Sequence, residues 1–132
     1  QQGGRKGHNN KYRGKKGYRP ILCFIQQTRE YLLGKLRVGE TINAKECAAF
    51  ITQIKECLPG CVHQVLLRAD GEMLSRNSVE AALAAGFNFI IANKGGEPSF
   101  DPDSGYRPYK RKNVEYNSCL YQPGGWQLPC RW

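Results

Sequence analysis

At 132 residues the chain has the size of one ordinary domain, long enough to bury a hydrophobic core. Its apolar fraction of 40% and charged fraction of 23% fit a globular protein, and no apolar run approaches the ~20 residues of a membrane-spanning helix. The net charge is +9, placed unevenly: Arg5, Lys6, Lys11, Arg13, Lys15, Lys16 and Arg19 stand at the amino-terminal end with no acid among them, and the rest is close to neutral. A basic arm ahead of a near-neutral body suits a phosphate-bearing partner, because Lys and Arg release counterions from a nucleic-acid backbone; a solvated tail has the same composition. The start of the chain is polar and basic with no apolar segment behind it, so no secretory signal is read and a bacterial or cytosolic interior is the default compartment. Neither a membrane nor a small-molecule cofactor is expected. Gln1 in first place, and Arg131-Trp132 closing on a strand-like approach, read as a piece of a longer protein.

Residues 1–19 carry Gly, Lys, Arg and Asn without apolar period and are expected to form a flexible arm. From Pro20 the character changes. Ile21-Leu22-Cys23-Phe24-Ile25 is a continuous apolar run, the mark of a buried strand, and Tyr31 to Val38 reads as the returning strand of a hairpin. The intervening turn has neither Asn-Gly nor Asp-Gly, which leaves its register open. Asn43 followed by Glu46 resembles a capping box, and Cys47, Phe50, Ile51, Ile54 and Leu58 then repeat at helical spacing until Pro59-Gly60. Val62 to Leu67 is the next expected strand. Ser75 opens a second helix that carries Val79, Ala82 and Leu83 inward, with Gly86 placed to take φ > 0 at its end. A strand from Asn88 through Ile91 follows, parallel to the preceding one by the handedness of such crossovers. The order predicts a mixed sheet flanked by helices over residues 20–94. Residues 95–132 are expected to be a loop and short-strand region, with the basic-aromatic cluster Tyr106-Arg107-Pro108-Tyr109-Lys110-Arg111-Lys112 and a Pro-Gly-Gly break at 123–125.

Six cysteines in a chain without a secretory signal read as free, mostly buried thiols rather than disulfides. Cys57, Cys61 and His63 have a spacing that begins some zinc sites, but no second tight pair completes it. The carboxylate that stands out is Asp70, at the end of Val65-Leu66-Leu67-Arg68-Ala69-Asp70-Gly71 in a strand–helix–strand unit. Open α/β sheets gather ligands and metals beyond the carboxyl ends of their strands. A cap for the following turn is the structural alternative for this side chain.

Three segments carry a family pattern when taken together. They are Gly14-Lys15-Lys16-Gly17-Tyr18-Arg19-Pro20-Ile21-Leu22, then Thr28-Arg29-Glu30-Tyr31-Leu32-Leu33-Gly34-Lys35-Leu36-Arg37-Val38-Gly39, and then the Asp70 strand with Ala81 to Ala92 behind it. Over roughly residues 14–94 the chain resembles the catalytic domain of DDE-type transposases of bacterial insertion sequences. The resemblance implies an RNase H-like α/β fold, here incomplete, in which three acids hold two divalent metals, Mg2+ or Mn2+. Asp70 matches the second acid as catalytic and metal-binding residue. The first Asp is expected upstream of Gln1 and the third, a Glu, beyond Trp132. Glu72 departs from the small residue often found at its place, and Glu115, in a strand-like setting, is not assigned the third role. The implied partner is DNA, with Arg13, Lys15, Lys16, Arg19, Arg107, Lys110, Arg111 and Lys112 as phosphate contacts and Tyr106 or Tyr109 stacking on a base. Metal-dependent DNA cleavage and strand transfer are then expected of the parent protein, with weak metal binding and no activity in this fragment alone. Homodimerisation is a further expectation, since an incomplete sheet exposes strand edges. A non-catalytic nucleic-acid-binding module and an RNase H-like nuclease are the competing functional readings.

Overall fold

The structure is a computed structural model and describes residues 6–8, 14–93, 105–110 and 113–131; Arg13, Arg111 and Lys112 lie outside the described residues. The chain divides into two compact units, Gln1–Ala92 and Asn93–Trp132.

In the first unit β1 (Gly7–His8) and β2 (Lys16–Gly17) pair antiparallel, and Tyr18 makes an isolated bridge to Val38. These described parts of the expected flexible arm are therefore paired. The reason is a close approach of main chains: a Cβ at buried Gly39 would lie 2.8 Å from the Gly17 carbonyl oxygen, 2.9 Å from that of His8 and 3.0 Å from that of Gly7. Only a residue without a side chain fits there.

The hairpin expected from residue 21 onward is present as β3 (Ile21–Phe24) and β4 (Tyr31–Lys35), antiparallel, with a register slip between Cys23 and Phe24. Its turn is held by the Arg29 N–H donating to the Ile25 carbonyl at 2.7 Å, with Arg29 at φ 61°. The slip leaves Leu32 of β4 without a partner position in β3, as in a β-bulge.

Helix α1 (Ala44–Cys57) starts at Asn43, whose Oδ1 accepts from the Glu46 N–H at 2.9 Å. Glu46 does not complete the box. Its carboxylate instead accepts from Arg37 Nη2 at 2.7 Å and lies 3.5 Å from Lys35 Nζ, pinning the end of the hairpin to the first helical turn. Arg37 is buried, 8% exposed. The expected stripe is the core: Phe50, Ile51 and Ile54 are buried with Leu67, Ala82 and Phe87, and Ile21, Cys23, Leu33, Val65 and Phe89 pack against them.

Beyond α1 the strand starts later than expected, as β5 (Leu66–Ala69), and leads through a 3-10 turn (Gly71–Met73) to α2 (Arg76–Ala84) and β6 (Asn88–Ile91). β5 and β6 are parallel, in register from Leu66↔Asn88 to Ala69↔Ile91. Ser75 caps α2 by accepting from the Ser78 N–H at 3.2 Å, and Gly86 adopts φ 74° just past its end. Leu83 is a correction. It is 42% exposed, because the buried stripe of α2 runs through Ser78, Val79 and Ala82 and leaves Leu83 on its outer margin. Ser78 lies fully inside because its hydroxyl is satisfied by Ser75 Oγ at 2.8 Å.

The architecture is mixed α/β with two helices and small two-stranded sheets. The expected single sheet is met as separate pairs: among the described residues β3 ladders with β4 alone and β5 with β6 alone. A groove of about 950 Å3 separates β3 from β5, floored by Phe50, Ile54 and Leu58 of the α1 region. The second unit contains two antiparallel pairs, β7 (Arg107–Pro108) with β8 (Glu115–Tyr116), and β9 (Leu120–Tyr121) with β10 (Cys130–Arg131). No described helix is long and apolar enough to cross a membrane.

Two stability measurements follow from this packing. Ile51→Ala should lower the urea-unfolding free energy by about 2–5 kcal/mol, whereas Leu83→Ala at the exposed margin should change it by less than about 0.5 kcal/mol. Hydrogen bonding from Arg37 holds the Glu46 carboxyl below its ordinary value of 4.5. A depressed carboxylate contributes stability that is present above pH 4.5 and is lost as pH falls through its lower folded value. Urea titrations of Glu46→Gln and the wild type should therefore differ at neutral pH and converge in acid below that range.

Candidate metal and nucleic-acid site

Asp70 stands one residue past β5, in extended backbone with φ −77° and ψ 172°. Its side chain is exposed, at the carboxyl end of the strand and beside the loop that enters α2. One carboxylate oxygen, Oδ1, accepts from the Glu72 N–H at 2.9 Å, which caps the 3-10 turn. The turn closes with the Met73 N–H donating to the Asp70 carbonyl at 3.1 Å. The structural role anticipated for this residue is thus present in the geometry.

Glu72 is held from the other side. Its carboxylate forms an ion pair with Arg19, which lies just ahead of β3 and is tied to the hairpin by its N–H to the Arg37 carbonyl at 3.0 Å. The carboxyl end of β5 therefore gathers an Asp, a Glu and an Arg from two segments of chain. Arg19, expected to contact phosphate, spends its charge on a neighbouring acid here.

This set does not fit a divalent-metal centre. Mg2+ takes six oxygen ligands in near-octahedral geometry and is bound weakly by a single carboxylate. Asp70 offers one carboxylate, already accepting from a backbone N–H, and Glu72 is neutralised by Arg19. Among the described residues no group of three or more His, Cys, Asp and Glu side chains is arranged to hold a metal ion. That applies equally to Cys57, Cys61 and His63, all exposed and not assembled into a site. The two thiols correct the expectation of mostly buried cysteines: they lie at the end of α1 and in the turn beyond it, past the buried stripe, whereas Cys47 alone is fully buried. Burial pushes the Cys47 thiol above its ordinary value, opposed by its hydrogen bond with Ser78.

The described basic residues fall into two groups. Lys15 and Lys16 are exposed in the first unit, Lys16 on β2 opposite His8. Arg107 and Lys110 are exposed in the second, Arg107 on β7 opposite Tyr116. Tyr109 meets Tyr116 edge-to-face, ring centroids 6.1 Å apart, so the candidate stacking residue packs within its own hairpin while keeping half its surface open. Tyr106 is exposed on the same segment, and Glu115 lies on β8 in this unit.

The ion pairs Arg19–Glu72 and Arg37–Glu46 were not legible in the sequence. Arg19 and Glu72 are 53 positions apart, and no local spacing marks either residue. Comparisons of the chain with protein-family models, with curated proteins and with solved structures return no match.

Asp70 substitutions separate capping from ligation. Asp70→Ala should cost about 1 kcal/mol of stability by loss of the cap, and Asp70→Asn only a few tenths, since Asn caps nearly as well as Asp. Thermal unfolding of both variants, without added metal, measures the difference.

Proposed function

We propose that this chain is part of the catalytic domain of a DDE-type DNA transposase with an RNase H-like fold, in which Asp70 is one of three metal-binding carboxylates. The observation that carries the proposal is the exposed Asp70 carboxylate at the carboxyl end of β5, in a β–α–β unit preceded by an antiparallel hairpin and a helix. Ligands of open α/β sheets gather at that edge. The basic residues Lys15, Lys16, Arg107 and Lys110 supply phosphate contacts that position DNA without reading sequence. The described residues do not assemble the Mg2+ or Mn2+ site that strand cleavage and joining use, so the role proposed for this chain is one carboxylate and exposed basic residues in each unit.

A second reading is favoured by a specific observation: Asp70 already has work as a cap, and Glu72 beside it is neutralised by Arg19. In that case the chain is a nucleic-acid-binding module without catalysis.

Duplex-DNA binding across a salt series, combined with cleavage by the protein that carries this segment, distinguishes the two. Log affinity should fall linearly with log salt, and replacing Lys15 and Lys16 together with Ala should reduce the slope by about 2, near 0.9 per lost phosphate contact. Asp70→Asn should abolish Mg2+-dependent and Mn2+-dependent cleavage while leaving that binding unchanged. Cleavage by Asp70→Asn at the wild-type rate removes the transposase assignment, and absence of DNA binding at low salt removes both readings.

A further inference from the structure

Polar contacts, rather than core packing, locate the exposed Asp70 carboxylate. It stands past the end of β5, and the 3-10 turn beside it contains no buried residue. Met73 packs against the core while staying partly exposed. What holds the side chain is the Glu72 N–H on Oδ1, at 2.9 Å. An aspartate rotates about two bonds, and a hydrogen bond fixes it only as firmly as the donor is fixed. Here the donor is anchored through its own side chain. The Glu72 carboxylate takes the Arg19 guanidinium in a charge-assisted contact between two partly exposed groups. Arg19 is in turn a stiff point of the chain. Pro20 follows it and restricts its backbone to extended forms, and its N–H donates to the Arg37 carbonyl at 3.0 Å. Arg37 is buried, and its guanidinium ends on Glu46 in the first turn of α1. The Glu46 hydrogen bond chiefly holds the Arg37 guanidinium above its ordinary value, and the charge of Glu72 adds to this through space. A polar path thus runs from Asp70 through Glu72, Arg19 and Arg37 to the capped start of α1.

We infer that Arg19 is a positioning residue for the Asp70 carboxylate, acting through Glu72, and not a phosphate contact. It has two effects. Holding Glu72 seats the N–H that orients Asp70 Oδ1, and neutralising Glu72 offsets a like charge two residues from Asp70. Lys15 and Lys16, exposed on the same stretch of chain, are the residues there that meet phosphate. The consequence for DNA cleavage rests on the transposase reading, whereas the consequence for the geometry around Asp70 does not.

Arg19→Gln removes the charge at nearly constant size, and Arg19→Lys keeps it. The NMR resonance of the Glu72 amide proton in the 132-residue chain reports its hydrogen bond to Asp70 in the folded state, which a change in stability alone does not move. Arg19→Gln should shift that resonance at least half of the way to its position in Asp70→Ala, and Arg19→Lys should leave it near the wild-type position. In an Asp70→Ala background Arg19→Gln should shift it little, because the bond it loosens is already gone. In the protein that carries this segment, Arg19→Gln should lower kcat for Asp70-dependent DNA cleavage about tenfold or more at saturating DNA, with Arg19→Lys recovering most of it. The salt slope of DNA affinity should stay unchanged. An unmoved Glu72 resonance in Arg19→Gln overturns the inference whatever the cleavage result, as does an equal shift with and without Asp70. A salt slope reduced by about 0.9 with kcat intact also overturns it and makes Arg19 a phosphate contact. Absence of cleavage by the wild type removes the transposase reading instead, and the Glu72 resonance then decides the positioning role by itself.

Discussion

The buried face of α1 is the constraint on which the first unit rests. Ile51 has no exposed surface, and Phe50 and Ile54 beside it reach the inner residues of both strand pairs, Ile21 and Cys23 from one and Leu67 and Phe89 from the other. Neither pair ladders with the other, so the helix is what holds them in one layer. Hydrophobic contact is non-directional, and it orients two sheets only when their facing side chains alternate correctly. Here they do. Leu22 and Phe24 in β3, Leu66 in β5 and Ile90 in β6 point away from the core, while their neighbours point toward it.

Polar contacts then fix what packing leaves adjustable. Arg37 reaches from the end of the hairpin to Glu46 in the first turn of α1, and Arg19 reaches from the start of β3 to Glu72 beyond β5. The first joins neighbouring elements and the second segments 53 positions apart, and both consume charge that the composition alone assigns to solvent or to phosphate. The basic character of the amino-terminal region is therefore divided: Lys15 and Lys16 remain exposed, whereas Arg19 is committed to the protein.

What could be read from the chain was what is local. The Asn43 cap, the stripe through Cys47, Phe50, Ile51 and Ile54, the turn at Gly86 and the position of Asp70 at a strand end depend on spacings of four residues or fewer, and each is present. Failures came where a distant partner decides. Ser78 is buried and Leu83 exposed because of how α2 sits on its neighbours, a reversal of their ordinary polarity. The hairpin register, left open by a turn without glycine or asparagine, carries a slip between Cys23 and Phe24, and Arg29 in that turn takes a positive φ. At the candidate site, Asp70 was identifiable by type and position, but its bond to the Glu72 N–H and the Arg19 partner of Glu72 were not.

The close approach at Gly39 has a consequence for how the basic strands can vary. Their anchorage is steric and made by main-chain atoms, with carbonyls of Gly7, His8 and Gly17 crowding a site that tolerates no side chain. Lysine at position 16 contributes nothing to that fit, since it projects outward from β2. Surface electrostatics in this region are thus decoupled from attachment: evolution, or an engineer, is free to retune the charge while the tight main-chain contact around Gly7 and Gly39 keeps the ribbon in place.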